Sequence, residues 1–339
     1  MFFWILAAIV FLPVFIAGLT LLCIWLFHLP SAITICDTIT TMGAGNGGRC
    51  SLQELGACEE CELPALDGIT LRGTFVHRHT PHRRGVVVFC HEFGGDRHVA
   101  VSYVARLLDQ GFDVFAFDFR NHGTSDCMEG YTPRSWATNY EVNDVLGAIH
   151  HVRRRHGAGG TGVALMGLSR GASAAISAAS RQTDIWAVIT DGAFESRWVT
   201  TLQIRRFMPQ FVRLAPLLTA APWFIHVFYG TLVHNLVARK VRHSCVKVKD
   251  DIGRVRQPVL MIHGERDSTI PVELAFRLRR KLPTRARLWI VSKGGHNRSI
   301  RSAPEKYQAR VCNFLRLHAP AKPGFVPHVR PAPLPAKVA

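Results

Sequence analysis

Hydrophobic residues in the middle of the chain form short blocks of strand length, each bounded by glycine, aspartate or proline. Six blocks predict strands, at 85–90, 113–117, 162–166, 187–190, 259–262 and 287–291. Between several of them apolar residues recur every three or four positions, as from Val101 to Leu108, which predicts helices. Apolar strands that alternate with helices indicate an α/β fold, with a mostly parallel sheet and helices on both faces. Ligands of such a sheet gather at the carboxyl ends of its strands.

Two stretches break this alternation. An insertion over about 192–257 has no strand-like block but holds enough apolar side chains, among them Trp223 and Phe228, to form a helical cap. Residues 319–339 contain six prolines, which is typical of a disordered tail. We therefore expect one α/β domain over 62–318, with the cap inside it, followed by a Pro-rich disordered tail.

The N-terminal pattern is different. Residues 1–28 carry no charged side chain, and this run exceeds the roughly 20 residues that span a bilayer as a helix. It predicts a single-pass transmembrane anchor. A cleaved signal peptide is the alternative, but its positively charged start and small-residue cleavage site are mostly missing. The side of the membrane is undetermined, because no Lys or Arg precedes Arg49. Residues 29–61, with four glycines between 43 and 48, are predicted to be a linker.

The net charge of +17 comes from 41 Lys and Arg against 24 Asp and Glu. Such an excess suits nucleic acid or an acidic membrane. The basic residues are scattered, with no stacking-aromatic motif or zinc spacing beside them, so we expect no nucleic acid as partner. Together with the anchor, the charge favours a membrane and anionic lipid headgroups.

Nine cysteines include one Cys-x-x-Cys pair, Cys58 and Cys61. The pair could be a redox site or half of a zinc site. No second pair of cysteines or histidines at zinc spacing accompanies it. We expect no metal and no cofactor.

The strand block at 162–166 runs directly into Gly-Leu-Ser-Arg-Gly at 167–171 and then into a small-residue helix. This is the context of a nucleophile elbow, in which a strained turn exposes the serine hydroxyl and the flanking glycines avoid backbone collisions. The alternative is an ordinary helix-capping serine. The placement between strand and helix favours Ser169 as a nucleophile.

A serine needs a histidine to take its proton and an acid to orient that histidine. His-Gly-Glu-Arg-Asp at 263–267 and Gly-Gly-His at 294–296 follow two later strand blocks. They make Asp267 the acid and His296 the base, with Glu265 and Asp191 as alternative acids. The negative charge that develops on a carbonyl oxygen needs backbone amides. We assign this role to Arg170, next to the serine, and to Phe93, in the loop after the strand at 85–90.

These motifs, with His-Glu-Phe-Gly-Gly at 91–95 and Asp-Phe-Arg-Asn-His-Gly-Thr-Ser-Asp at 118–126, resemble the α/β-hydrolases. The resemblance covers about 65–318 and lies near the branch of serine-aminopeptidase-like and monoacylglycerol-lipase-like enzymes. It implies the α/β-hydrolase fold and the order Ser169, Asp267, His296. The chain departs from the family at Glu92 and Asn121, where glycine is common.

The leading hypothesis is a membrane-anchored serine hydrolase that cleaves carboxylic esters or thioesters, of lipophilic acyl groups, through an acyl-enzyme on Ser169. An aminopeptidase could use the same three residues but would need an acid to bind a free amine, and residues 198–249 contain no Asp or Glu. A catalytically inactive α/β-hydrolase fold that serves as a binding protein is the third reading.

Overall fold

The computed structural model describes residues 2–41, 50–155, 162–211, 222–240, 244–283 and 286–320. The chain divides into two compact units. The smaller contains Met1–Thr41 and Arg197–His243, and the larger contains Met42–Ser196 and Ser244–Ala339. Apart from its first two residues, the predicted disordered tail at 319–339 lies outside the described residues.

Eight strands build the sheet of the larger unit: β1 (Cys58–Pro64), β2 (Thr70–Val76), β3 (Gly85–Cys90), β4 (Phe112–Phe117), β5 (Val163–Leu168), β6 (Ile185–Asp191), β7 (Val259–Gly264) and β8 (Arg287–Val291). Their order is β1-β2-β4-β3-β5-β6-β7-β8. β2 is antiparallel to both of its neighbours, and all other pairs are parallel. The predicted mostly parallel sheet is confirmed.

The described helices are α1 (Phe2–Phe27), α2 (Leu29–Thr41), α3 (Val101–Asp109), α4 (Asn139–Arg155), α5 (Arg170–Ala179), α6 (Ser196–Phe211), α7 (Trp223–Lys240), α8 (Val248–Asp251), α9 (Val272–Arg279), α10 (Ser299–Ser302) and α11 (Pro304–His318). Short 3₁₀ turns cover Leu52–Leu55, Arg97–Ala100 and Ile252–Arg254. In the described part of the insertion, α6 and α7 are its two long elements, and both are helices.

The three central strands β3, β4 and β5 are buried along their whole length. Helices therefore cover both faces, which explains why these segments are apolar at every position rather than at alternate ones. Val87, Phe89 and Met166 belong to one core cluster that continues into the helices α3 and α11. This packing fixes the positions of the loops at the carboxyl ends of the strands.

The sheet begins before the predicted start of the α/β domain at residue 62, because β1 begins at Cys58. In the register with β2, Cys58 faces Val76 and Cys61 faces Gly73. Residues three apart in a strand point to opposite faces of the sheet. The two thiols therefore cannot ligate one metal ion together or form a disulfide with each other, and the Cys-x-x-Cys pair is part of an edge strand.

The predicted linker over 29–61 is wrong in its first part, because Leu29–Thr41 form the helix α2 of the smaller unit. Ala32, Cys36 and Thr40 are buried on one side of it, four residues apart. The threonine hydroxyls donate to the carbonyl four residues earlier, as from Thr40 to Cys36 at 2.8 Å, so these polar groups are satisfied within the helix. An ion pair between Lys240 and Asp37, at 2.8 Å, joins α7 to α2.

Counting only the residues whose placement is described, no helix meets the length and apolarity needed to cross a membrane. The anchor predicted at 1–28 therefore stays a prediction.

Candidate active site

Ser169 lies in the tight turn between β5 and α5, with φ of 48° and ψ of −112°. Side chains other than glycine rarely adopt positive φ, and such strain concentrates at functional sites. The neighbouring glycines are required by space. A Cβ on Gly167 would lie 2.6 Å from the Cα of Ala172, and one on Gly171 would lie 2.3 Å from the carbonyl oxygen of Cys90. The turn thus has the geometry of a nucleophile elbow.

The structure brings the three predicted catalytic side chains together. Ser169 Oγ lies 2.9 Å from His296 Nε2, and His296 Nδ1 lies 2.7 Å from Asp267 Oδ2. With the carboxylate accepting a hydrogen bond from the Nδ1–H group, Nε2 is left with a lone pair that faces the serine hydroxyl. This tautomer allows His296 to remove the proton from Ser169.

Asp267 is held rigidly in the turn after β7. Its Oδ1 accepts hydrogen bonds from the backbone amides of Thr269, at 2.9 Å, and Ile270, at 2.7 Å. Its carboxylate is buried, with a side-chain exposure of 1%. Because two fixed amides occupy Oδ1, the other oxygen is available to orient His296.

Neither alternative acid occupies this position. Asp191 Oδ1 accepts a hydrogen bond from the hydroxyl of Ser299 at 2.9 Å, and its backbone oxygen accepts one from the amide of Ser169 at 2.8 Å. Glu265 accepts from the amide of Lys293 and the hydroxyl of Ser292, at 2.9 and 3.1 Å. Both residues shape the loops around the site.

The two predicted oxyanion donors lie on segments in contact. The carbonyl oxygens of Cys90 and His91 pack against Gly171, which places the loop after β3 directly against the elbow. The Arg170 amide belongs to the first turn of α5, where N–H groups have no acceptor within the helix. The Arg170 guanidinium lies 5.3 Å from the centre of the Phe93 ring and fixes that side of the loop.

Two histidines near the elbow have structural contacts. His91 Nδ1 donates to the backbone oxygen of Glu92 at 2.6 Å, and its Nε2 accepts from the amide of Phe119 at 3.1 Å. His122 Nδ1 donates to the Arg120 carbonyl, and its Nε2 accepts from the Arg170 guanidinium. Burial, with the nearby Arg170 charge, lowers the pKa of His91 to about 3 and that of His122 to about 2. Both are neutral, and neither is a base for Ser169.

The Arg170 side chain is a feature that the sequence reasoning missed. It is fully buried and reaches the carboxylate of Glu141, 3.4 Å away and equally buried. Glu141 also accepts from the Thr138 amide at 2.7 Å. A buried charge of this kind is tolerated because it is paired and hydrogen-bonded. The only sequence signal was an arginine directly after the serine, at the start of an otherwise small-residue helix.

The two departures from the family pattern have different consequences. Asn121 adopts φ of 58°, a conformation that asparagine tolerates better than most residues. Its side chain accepts from the Met128 amide at 2.9 Å and donates to the Tyr131 carbonyl at 3.0 Å. Glu92 is only 3% exposed, and within the described part of the chain its Oε2 has no hydrogen-bond partner. Burial raises the pKa of this carboxyl group.

Comparison with known families identifies the architecture. The profile of the family described as "Alpha/beta hydrolase family" matches residues 87–310. Among curated proteins, YqkD of Bacillus subtilis, described as uncharacterized, is 27% identical over 259 residues, covering 75% of this chain and 77% of YqkD. Human protein ABHD12B is 26% identical over 209 residues, covering 57% of this chain and 48% of ABHD12B.

Solved structures of the same fold are also similar. The esterase Pf2001 of Pyrococcus furiosus superposes with a TM-score of 0.62 at 20% identity, covering 83% of this chain and 98% of the esterase. The alpha/beta hydrolase GrgF from Penicillium sp. sh18 superposes with a TM-score of 0.59 at 16% identity, covering 78% of this chain and 99% of GrgF. At these identities the likeness shows the shared fold.

Proposed function

The chain belongs to the alpha/beta hydrolase family, and we propose that it is a serine hydrolase that cleaves carboxylic ester or thioester bonds through an acyl-enzyme on Ser169. The observation that carries the proposal is the hydrogen-bonded relay at the elbow, with 2.9 Å from Ser169 Oγ to His296 Nε2 and 2.7 Å from His296 Nδ1 to Asp267 Oδ2. A relay with these roles is what turns a weakly nucleophilic hydroxyl into an attacking group.

In the acylation step, His296 Nε2 takes the proton from Ser169 as Oγ attacks the carbonyl carbon of the substrate. The carbonyl oxygen becomes an oxyanion, which the amides of Phe93 and Arg170 receive. The carbon–oxygen or carbon–sulfur bond to the leaving group then breaks, and His296 returns its proton to the leaving alkoxide or thiolate. Ser169 is left as an acyl ester.

Deacylation repeats these roles with water. His296 removes a proton from a water molecule, and the resulting hydroxide attacks the acyl carbon. Collapse of this second oxyanion releases the carboxylic acid, and Oγ regains its proton from His296. Asp267 stays ionised throughout and stabilises the imidazolium that forms in each half of the reaction. An oxyanion donor of this kind contributes about 10²–10³ in rate.

The charge of the insertion supports an ester or thioester of a lipophilic acyl group as the substrate. Residues 198–249 carry several basic side chains but no acid. An aminopeptidase needs an anionic group to hold the free amine of its substrate, and this segment offers none. Apolar side chains such as Phe207 and Leu232 suit acyl chains instead.

Turnover of a matched substrate panel tests the proposal. Purified chain is assayed on esters, thioesters and aminoacyl amides of increasing acyl length, beside Ser169→Ala. We expect ester or thioester hydrolysis that falls about 10⁴-fold or more in the variant, since triad members act as a unit. Thermal unfolding of both proteins checks that the variant is folded. Equal turnover by folded Ser169→Ala would contradict the proposal, and hydrolysis confined to aminoacyl amides would favour the peptidase.

We further propose that residues 1–28 anchor the enzyme in a membrane as a single-pass helix. Their run of uncharged residues supports this, as do the apolar side chains of α1 that face outward, including Trp4 at 74%, Phe11 at 71% and Phe15 at 67% exposure. Alkaline extraction of membranes from cells expressing the full chain tests it. An anchored chain stays in the pellet until detergent is added, whereas release by alkali alone would contradict the anchor.

A further inference from the structure

The first two turns of α7 present large apolar side chains to the outside. Trp223 is 72% exposed, Phe224 58%, Val227 43% and Phe228 59%. Their spacing of one, four and five residues places all four on one side of the helix. We call these four residues the apolar ridge. Monomeric proteins rarely expose large apolar side chains in such a contiguous group unless the group binds something.

The rest of α7 changes character along its length. On the opposite side, Tyr229 and Val233 are buried within the smaller unit. On the outward side, the ridge gives way to the exposed polar residues Asn235 and Arg239. The apolar part therefore extends over six residues, about 9 Å at 1.5 Å per residue. Interfacial helices lie in the plane of the membrane surface, with their apolar face buried about 5–10 Å at the boundary between headgroups and acyl chains, so an apolar stretch along one side of α7 suits a helix that rests on that surface.

The unit that carries the ridge is strongly cationic. Segments 1–41 and 197–243 contain seven Lys and Arg and one acid, so their formal charge is 7 minus 1, or +6. That acid, Asp37, is paired with Lys240. Arg205 and Arg206 are exposed in α6. The same unit contains α1, the proposed anchor.

From this juxtaposition we propose that the apolar ridge, Trp223, Phe224, Val227 and Phe228, inserts into the headgroup region of a bilayer that contains anionic phospholipids. Tryptophan and phenylalanine are typical of helix faces buried at this depth, and the basic residues of the same unit complement the negative headgroups. A second copy of the chain fits less well, because it would bring two units of +6 charge together. The ridge would be a second membrane contact, distinct from the anchor and dependent on lipid charge.

The proposal rests on the anchor only to hold the bilayer within reach of the ridge, and it is independent of catalysis at Ser169. Its test uses the full chain reconstituted in nanodiscs of phosphatidylcholine, with or without phosphatidylglycerol. Lipids brominated near the headgroup end of the acyl chain quench tryptophan on close approach. The wild type is compared with Trp223→Phe, which keeps an aromatic ring, and with the control Trp289→Phe in β8 of the larger unit.

We expect quenching to fall in Trp223→Phe and to stay unchanged in the control. The Trp223 contribution should increase with phosphatidylglycerol and decrease in high salt, because headgroup attraction is screened. Undiminished quenching in Trp223→Phe, with the protein still in the nanodisc, would overturn the ridge proposal and leave the anchor standing. Loss of the whole chain from the lipid would overturn both.

A paired substitution separates lipid contact from other roles. Phe224→Ser with Phe228→Ser removes most of the ridge, and Phe276→Ser with Leu317→Ser removes exposed apolar side chains from the larger unit as the control. We expect only the ridge pair to reduce, several-fold, the hydrolysis of a long-chain ester carried in anionic vesicles, with hydrolysis of a short soluble ester unchanged. Equal effects from the two pairs, or a change only in self-association, would contradict a lipid-binding ridge.

Discussion

Asp267, His296 and Ser169 come from three loops that are separated by nearly 130 residues of sequence and lie within hydrogen-bond distance in the structure. Their meeting was predictable, because each follows a strand-like block and the carboxyl ends of parallel strands share one edge of the sheet. The two amides that hold Asp267 were not predictable, since they depend on how the turn at 267–270 closes.

Exchange of one carboxylate for an amide tests which acid orients the histidine. In Asp267→Asn we expect turnover to fall by about 10⁴, because the amide favours the wrong histidine tautomer. Asp191→Asn serves as the matched comparison, and its effect on turnover should be far smaller, since Asp191 contacts Ser299 instead. Steady-state rates and thermal unfolding of both variants provide the measurement. A larger activity loss in Asp191→Asn would place the acid after β6.

Glu92 shows what sequence could not reveal. The substitution of a family glycine was visible, but the burial of the carboxyl group, which is only 3% exposed, follows from the path of the loop after β3. Burial raises its pKa in the folded state. The contribution of Glu92 to the free energy of unfolding is therefore fully present only below the ordinary pKa of about 4.5. It is lost as pH rises through the raised pKa of the folded state.

A pH series on Glu92→Gln tests this charge effect. We expect the variant to gain stability over the wild type as pH rises from 4 towards 8, with about 1.4 kcal/mol for each unit that separates the folded and unfolded pKa. Near pH 4 the two proteins should be similar, because the wild-type carboxyl is then protonated in both states. Thermal or denaturant unfolding at each pH gives the difference. A stability difference that stays constant across the series would show that the Glu92 charge is not disfavoured by folding.

At the scale of elements, the six apolar blocks located the six central and later strands, whereas β1, β2 and α2 were missed. β1 lies at the sheet edge and carries exposed glutamates, so its apolar signal is weak. α2 is rich in threonine, and only the hydroxyl bonds to preceding carbonyls make this composition compatible with a helix. Edge strands and threonine-rich helices depend on contacts that a hydrophobic pattern does not record.

The segment before α11 contains a helix-start pattern that the structure uses differently. Ser302 and Glu305 resemble a capping box, with Pro304 between them. In the structure Ser302 ends α10, and Ala303 precedes α11, with Pro304 in its first turn. Glu305 instead pairs with Arg106 of α3 at 3.0 Å. The short helix α10 takes up the serine that would have capped the longer one.

Gly171→Ala tests the contact between the start of α5 and the loop after β3. The added methyl group would lie 2.3 Å from the Cys90 carbonyl oxygen and 2.4 Å from that of His91. We expect a loss of about 1–3 kcal/mol in stability from overpacking, and a loss of activity because both proposed oxyanion donors, the amides of Phe93 and Arg170, would move. Unfolding and short-ester turnover provide the measurement.

Gly253→Ala is the matched control, because the nearest atom to its new methyl group is the Lys281 carbonyl oxygen at 3.8 Å. Its stability should change by less than about 0.5 kcal/mol. Similar behaviour of the two variants would mean that the loop after β3 is not held against the elbow as described.

At the scale of the whole molecule, the sequence gives the composition and the net charge, but it does not show which segments and charges share a compact unit. The cap segment and the N-terminal segment form one compact unit, although they are separated by more than 150 residues. Neither hydrophobic periodicity nor spacing predicts such a pairing, which is made by contacts such as that of Lys240 with Asp37. Part of the +17 net charge therefore belongs to the same compact unit as the proposed anchor.

Covalent labelling of the full chain tests the central claim, that Ser169 is the activated nucleophile. A fluorophosphonate probe is incubated with native protein, and the adduct is located by peptide mass spectrometry. We predict a single adduct on Ser169, absent after heat denaturation and greatly slowed in His296→Ala, because the hydroxyl is reactive only while His296 accepts its proton. An adduct on another residue, or no labelling of folded protein, would contradict the assignment.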